Sequence, residues 1–392
     1  MSIEIRSLRN KVAVVGAGMI PFGEHYDKSF EDMLAEAYIN CINSVDKGID
    51  PQKEIEAVWY GTVMGPATGA TVAEVTGLVG KPITRVENAC ATGSDAFRNA
   101  CMAVAAGLYD VVLVISCEKM LDRPGGLIEA IGRAVPHYPW VYAITMPSAF
   151  ALYATRHMHE FGTKIEHFAM IAVKNHKHGA LNPYSHIRRE IKVEDVLKSP
   201  IVSWPLHLLD CCPITDGAAA VIVCRADLAK KYTDAPVYVQ GSGLATNPFL
   251  IHLRKSYVTM EPTVEAARQA YKMAKIEPKD IDFAEVHDCF TPTELISYED
   301  LGFCKKGEGG KFIEEGIPYL GGKLPVNPSG GLKSHGHPIG ATGTAQIVEI
   351  FWQLRNEAGK RQVEGAEIGL QHNIGGAGPQ VSCVHILSNK LF

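Results

Sequence analysis

Val86-Glu87-Asn88-Ala89-Cys90-Ala91-Thr92-Gly93-Ser94 runs directly into Asp95-Ala96-Phe97-Arg98-Asn99-Ala100-Cys101-Met102-Ala103-Val104-Ala105, an alanine-rich stretch that suits a helix. Cys90 therefore stands where a strand or loop feeds a helix N-terminus. Unpaired N–H groups and the helix dipole favour an anion there, so the sequence predicts a thiol that ionises more easily than a free cysteine. That is the address of a nucleophile.

At 392 residues the chain is long enough for two or three domains and a large core. Its net charge of −5 and its scattered Lys and Arg residues exclude the basic stripe of a nucleic-acid binder. No apolar run approaches the ~20 residues of a membrane span, and the first ten residues do not read as a signal peptide, so a soluble, cytoplasmic protein is expected. None of the ten cysteines forms a CxxC pair, which removes zinc-ribbon and thioredoxin readings and leaves no predicted metal site. Most lie in apolar runs such as Val221-Ile222-Val223-Cys224 and read as small buried hydrophobes. Cys90 and Cys289 are the exceptions.

Outward from Cys90 the chain reads as α/β. Lys11 to Met19 is a glycine-ended buried strand; the missing third glycine and the following Pro21-Phe22 argue against a dinucleotide site. A helix is predicted over 29–45, capped by Ser29, with strands over 56–63 and 109–116. From about 118 to 205 glycine, proline, histidine and aromatic residues mix with two helical stretches, near 147–161 and 164–179, and the segment reads as an excursion from the core. Strand character returns at 216–224.

The second half then restates the first. Val237 to Gly243 echoes the opening strand, Ile276 to Val286 echoes Ile49 to Val58, and Ala341-Thr342-Gly343-Thr344 echoes Ala91-Thr92-Gly93-Ser94. Three ordered echoes, each about 225–250 residues on, point to duplicated halves, 1–240 and 241–392, related by a pseudo-two-fold axis. Two helix N-termini would then face one cavity.

Three more segments carry chemistry. In Glu285-Val286-His287-Asp288-Cys289-Phe290 an imidazole and a thiol two residues apart point the same way if the backbone is extended; the plain alternative is a buried cysteine beside a surface histidine. Seven glycines and prolines surround His337 between Asn327 and Gly343, more backbone freedom than packing requires. Gln371-His372-Asn373-Ile374-Gly375-Gly376-Ala377-Gly378 offers bare N–H groups for an oxyanion.

Asn88 to Ser94, His287 to Phe290, Gly336 to Gly343 and Asn373 to Gly378 together resemble the four active-site blocks of the thiolase superfamily, in that family's order and over essentially the whole chain. The resemblance implies two βαβαβαββ halves packed in five layers, with a loop domain inserted in the first half at about 118–205. Asn373 stands where many thiolases carry a second catalytic cysteine. Cys289 in the His-Asp-Cys-Phe block instead matches the sterol-carrier-protein and archaeal branches.

By that resemblance the Cys90 thiolate attacks a 3-oxoacyl-CoA, and carbon–carbon fission leaves an acyl enzyme and the enolate of an acyl-CoA. Cys289 serves as acid and base. His287 and His337 bind the thioester oxygen, His337 helps deprotonate Cys90, and the N–H groups of Cys90 and Gly375 form a second oxyanion site. No cofactor is implied; coenzyme A is a substrate.

The family also implies a homodimer or dimer of dimers, and in some members a separate zinc-ribbon and OB-fold subunit. His137 to Tyr142, Met146-Pro147, Arg123 and Arg133 suggest an acyl pocket for a bulky, aromatic or carboxylated substrate of the benzoylsuccinyl-CoA kind; the plain alternative is packing of the inserted segment. An acetoacetyl-CoA thiolase, a ketoacyl or hydroxymethylglutaryl-CoA synthase, a related retro-aldolase and a non-catalytic lipid carrier or scaffold are the rival readings. Cys289 speaks against the synthases, and the four chemical side chains together speak against lost catalysis. Glu118, Lys119 and His335 read as loop-fixing residues.

Overall fold

The computed structural model describes residues 7–122 and 145–392. Eleven strands are found among them: β1 (Val12–Met19), β2 (Ala57–Gly61), β3 (Ile83–Val86), β4 (Val111–Glu118), β5 (Ile201–Ser203), β6 (Leu206–His207), β7 (Gly217–Arg225), β8 (Val237–Thr246), β9 (Phe283–Glu285), β10 (Ile368–Gly375) and β11 (Val381–Ser388). Nine of them form one sheet in the order β3-β2-β4-β7-β1-β8-β11-β10-β9.

Read outward from its centre, this order states the duplication. One side runs β1-β7-β4-β2-β3 and the other β8-β11-β10-β9, where Val326 bridges Ala284 in parallel and takes the place that β3 holds in the first half. On each side the outer pairings are parallel and the inner ones antiparallel. The halves are joined edge to edge where Val12–Val14 of β1 lie opposite Val237–Val239 of β8.

Layering follows from the alternation of side chains along the strands. In β1, Val12, Val14, Ala17 and Met19 enter a central core with Phe97 and Phe351, while Ala13 and Val15 enter an outer core beneath the helix Phe30–Asn43. The helix Glu261–Ala274 covers the second half in the same way. Helix, sheet, central helices, sheet and helix give the five layers that the resemblance implies. Gly18 and Gly243 serve this packing and not a nucleotide: a Cβ would lie 2.4 Å from the Cys41 nitrogen in the first case and 2.0 Å from the Ala266 oxygen in the second.

The central layer consists of the helices Thr92–Ala105 and Thr342–Leu354, whose N-termini cross almost in contact. A Cβ on Gly93 would stand 2.6 Å from the Thr344 nitrogen, and one on Gly343 would stand 2.3 Å from the Ser94 nitrogen. Each echo supplies the glycine that admits the other. The crossing is tied by Ser116 Oγ to Thr344 Oγ1 at 2.7 Å and by the Gln371 amide donating to Ser94 Oγ at 2.6 Å.

Between β4 and β7 the described residues are 119–122 and 145–216. They hold the helices Met146–Phe161, Ile165–Leu181 and Val193–Lys198 and the hairpin β5–β6. Among the described residues no helix is long and apolar enough to cross a membrane.

The interior is rich in histidine. Burial pushes His176 down to about 4, His178, His335, His337, His372 and His385 down to about 3, and His287 well below the ordinary value. Each is neutral when folded and takes up a proton on unfolding below pH ~6.5, so its contribution is complete above that pH and is lost as pH falls. Glu118, Asp210, Glu285, Asp288 and Asp300 act in the opposite sense, because burial raises them. The histidines lowered in this way, His186 among them, outnumber the raised carboxyls, so stability is expected to fall as pH drops from 6.5 toward 5. Urea unfolding at pH 7, 6 and 5 measures this; stability that rises from pH 6.5 to 5 contradicts it.

Candidate active site

Cys90 is placed by a tight turn between β3 and the helix Thr92–Ala105. The Asn88 N–H donates to Thr92 Oγ1 at 2.8 Å, and the Thr92 hydroxyl donates to the Ala89 carbonyl at 2.6 Å. Ala89 has φ of +50°, the left-handed region a side chain enters only under local constraint. The thiol is held at the helix start and faces a cavity of about 540 Å³, which Cys289, Phe290, His337 and Gly376 also line.

Protein surrounds the thiol on every side except the cavity, and burial pushes it up to about 12. The backbone N–H groups of Gly376 and of Cys90 itself pull the other way, while the Glu118 carboxylate adds to the rise. The helix start alone therefore does not ionise Cys90, contrary to the expectation from sequence. Desolvation, invisible in a linear pattern, outweighs the dipole. Attack requires a base.

His337 has the state a base needs. Its Nδ1 lies 2.7 Å from Thr342 Oγ1, and the Thr342 hydroxyl lies 3.0 Å from the Pro338 carbonyl. A hydroxyl has one proton; spent on Pro338, it leaves Oγ1 to accept from Nδ1–H, so Nε2 carries the lone pair. Burial keeps the ring neutral, with its pKa pushed down to about 3. His287 stands edge-on to it, ring centroids 5.2 Å apart at 84°. The Asn373 amide donates to His287 Nδ1 at 2.9 Å, which puts the proton on Nε2. Two adjacent imidazoles thus hold opposite tautomers, one an acceptor and one a donor.

Asp288, between His287 and Cys289, faces away from this pair. It accepts from the N–H groups of Leu332 at 2.6 Å and Lys333 at 3.1 Å and from the Asn175 amide at 2.7 Å, bracing the turn that leads to His337. Burial, with the Glu294 charge beside it, pushes Asp288 up to about 8. Cys289 is buried and its thiol is pushed well above the ordinary value, first by desolvation and then by the neighbouring Cys212, Cys90 and Asp288.

The glycine block closes the site from β10. Gly375 packs so closely on the Cys90 turn that a Cβ would lie 2.4 Å from the Asn88 oxygen. Gly376, the next residue, lines the cavity with Cys90.

Glu118 is the loop-fixing residue expected of it. Its buried carboxylate accepts from Val63 N–H and Met64 N–H at 2.8 Å each, from Gly340 N–H at 3.0 Å and from Thr62 Oγ1 at 3.1 Å. It clamps a first-half loop to the loop that carries His337. Glu118→Gln turns one acceptor into a donor facing N–H groups, and it is expected to cost about 2 kcal/mol of stability and to lower activity; denaturant unfolding and turnover check it.

Sequence reasoning missed Cys211 and Cys212, taken as plain buried residues, yet both line the cavity with Ile214 and Phe150. No spacing links them to Cys90. Met146 and Pro147 do line it. His137 to Tyr142, Arg123 and Arg133 lie outside the described residues. His335 is not among the residues that line the cavity; it stacks on Phe22 with ring centroids 4.5 Å apart.

Two family models divide the chain between them, "Thiolase, N-terminal domain" over residues 12–227 and "Thiolase C-terminal domain-like" over 243–389. An acetyl-CoA acetyltransferase of Methanothermobacter thermautotrophicus is 46% identical over 383 residues, covering 96% of this chain and 99% of its own length. The benzoylsuccinyl-CoA thiolase subunit BbsB of Thauera aromatica is 38% identical over 375 residues, 94% of this chain and 96% of its own. Among solved structures, the Ltp2-ChsH2(DUF35) aldolase superposes with a TM-score of 0.85 at 26% identity, covering 98% of this chain and 100% of that one. Matched in both halves and along nearly its whole length, this chain belongs to the thiolase family and is an acyltransferase of the thiolase class.

Proposed function

We propose that the chain cleaves a 3-oxoacyl-CoA with coenzyme A, or runs the reverse Claisen condensation, with Cys90 carrying the acyl group. His337 Nε2 takes the Cys90 proton as the sulfur adds to the 3-oxo carbon, whose oxygen becomes an oxyanion at the N–H groups of Cys90 and Gly375. The bond between C2 and C3 breaks, leaving acyl-Cys90 and an enolate. The enolate oxygen takes hydrogen bonds from His287 Nε2–H and from the now protonated His337, and the Cys289 thiol gives its proton to C2. The Cys289 thiolate then deprotonates incoming coenzyme A, which displaces Cys90, and the released thiolate recovers its proton from His337.

The observation that carries this reading is the pairing of His337 with Thr342 and of His287 with Asn373, two adjacent imidazoles beside a cavity lined by both thiols. It is tested by mass spectrometry after mixing with substrate in the absence of coenzyme A. An acyl adduct on Cys90 is expected; an unmodified chain that still turns over sinks the reading and favours the aldolase alternative.

We extend the proposal to a bulky, aromatic or carboxylated acyl group. Phe150, Phe290, Met146, Pro147 and Ile214 line the cavity, and the two phenylalanine rings lie 5.0 Å apart. The benzoylsuccinyl-CoA thiolase subunit among the relatives supports it. Among the described lining residues the charged side chain is Glu87, an anion, so the wall favours an uncharged aryl group over a carboxylated one. The similarity to an acetyl-CoA acetyltransferase supports the acetoacetyl-CoA alternative. Relative kcat/KM for acetoacetyl-CoA and an aryl 3-oxoacyl-CoA decides; strong preference for the former overturns the extension.

The same reading includes a cytoplasmic homodimer or dimer of dimers, formed through β3, the half-buried edge strand of the sheet beside the nucleophile. A separate zinc-ribbon and OB-fold subunit is part of it, supported by the word "subunit" in one relative's name and by the two components named in the aldolase. Tag-free purification with metal analysis tests this, and full activity without metal or second chain argues against it.

A further inference from the structure

We propose that Arg254 is a positioning residue for the reaction at Cys90, tying the glycine loop that packs on the Cys90 turn to the helix that walls the acyl cavity. This rests on the reading of Cys90 as acyl carrier. The guanidinium lies between two elements that no mechanistic step yet connects. Its Nη2 donates to the Ala377 carbonyl at 3.0 Å, in the loop whose Gly376 lines the cavity with Cys90 and whose Gly375 packs on the Cys90 turn. Its Nη1 donates to the Tyr153 hydroxyl at 3.2 Å, and its Nε to the Pro248 carbonyl at 3.3 Å. Gly378 leaves room for it: a Cβ there would stand 2.3 Å from Nη1.

Tyr153 lies on the helix Met146–Phe161, one turn beyond Phe150, and Phe150 and Met146 of that helix line the cavity. The chain segment bearing Arg254 is fixed to the glycine block a second time, where the Asn247 N–H donates to the Gln380 carbonyl at 2.7 Å, and Gln380 also lines the cavity. Arg254 is 6% exposed and, among the described residues, has no carboxylate partner. A buried cation without a counter-ion weakens a fold unless its hydrogen bonds are complete, so a device meant only for stability would be better served by an apolar side chain. What the arginine supplies is reach: one planar group holds the oxyanion loop and the pocket wall at a fixed separation.

The experiment uses the full-length enzyme, with turnover normalised to the fraction of Cys90 that accepts an acyl group from substrate. Arg254→Ala is expected to lower kcat per acylatable site about 30-fold, less than outright loss of an oxyanion donor, with KM for coenzyme A within about two-fold. Millimolar guanidinium is expected to restore part of that loss. Tyr153→Phe removes one hydroxyl and keeps the ring; it is expected to lower kcat about three-fold alone and to have no further effect once Arg254 is alanine. Arg254→Lys is expected to fall between wild type and alanine.

Wild-type kcat per acylatable site in both Arg254→Lys and Tyr153→Phe overturns the proposal. So does a loss confined to the number of acylatable sites. Additive effects of the two substitutions overturn the link through Tyr153. A wild-type enzyme that never acylates Cys90 defeats the underlying reading instead, and the two failures are told apart by that first measurement.

Discussion

Serine in place of Cys90 is expected to lower turnover of a 3-oxoacyl-CoA by about 10⁴-fold or more and to remove the acyl adduct from the mass spectrum. The change is nearly isosteric, and the turn that holds the residue is made by Asn88, Ala89 and Thr92, so the fold is expected to survive. The chemistry does not. Even the sulfur is a weak acid in this site, pushed up to about 12, and a hydroxyl is weaker still, so transfer to His337 becomes far more uphill. Retention of even a tenth of wild-type activity by Cys90→Ser or Cys90→Ala would mean that carbon–carbon cleavage proceeds without an acyl enzyme.

The second large effect belongs to His337. Its replacement by glutamine removes the only neutral base that faces the nucleophile among the described lining residues and is expected to cost about 10³-fold in kcat/KM. The pH profiles separate this from a packing defect. With its pKa pushed down to about 3, His337 stays a free base throughout the working range, so wild-type kcat/KM shows no descent centred at the ordinary histidine value near 6.5. Any acid loss follows the unfolding argued above. In the glutamine variant only spontaneously ionised thiol reacts, and the residual rate is expected to climb about ten-fold per pH unit toward the raised pKa of Cys90. A flat residual profile would show that another group takes the proton.

How much of this was legible in the chain differs from element to element. β1 and the helix after it could be read because a fully buried strand and a capped helix leave unbroken patterns. The duplication was legible through its glycines, since close crossings leave no other choice of residue. β3, by contrast, is Ile83-Thr84-Arg85-Val86, an edge strand whose half-exposed faces erase the alternation. The chemical side chains stood out because four separate blocks each broke the local rules of packing. The cavity wall did not, because Phe150, Cys211, Cys212 and Ile214 come from an inserted segment whose apolar residues look like core until the fold turns them toward Cys90. The acidity of Cys90 was read with the wrong sign, since helix ends are visible in sequence and desolvation is not. The tautomers were out of reach: that of His287 depends on Asn373, which arrives from a distant strand, and that of His337 on Thr342, five residues on, folding its hydroxyl back onto the ring.

The crossing of the two central helices has a further meaning. A fold with a two-fold axis offers two equivalent seats at its centre, and this one fills them unequally. The repeat that matches Ala91 with Ala341 matches Cys90 with Gly340, so the seat opposite the nucleophile holds a residue with no side chain, and its N–H is bound to Glu118 at 3.0 Å. The partner groups show the complementary bias, for His287, Cys289 and His337 all come from the second half. Neither half owns a working centre. On the proposed mechanism the chain works as a covalent heterodimer in which one half brings the nucleophile and the other the proton machinery, and the cavity that Cys90, Cys289 and His337 line is where symmetry has been given up.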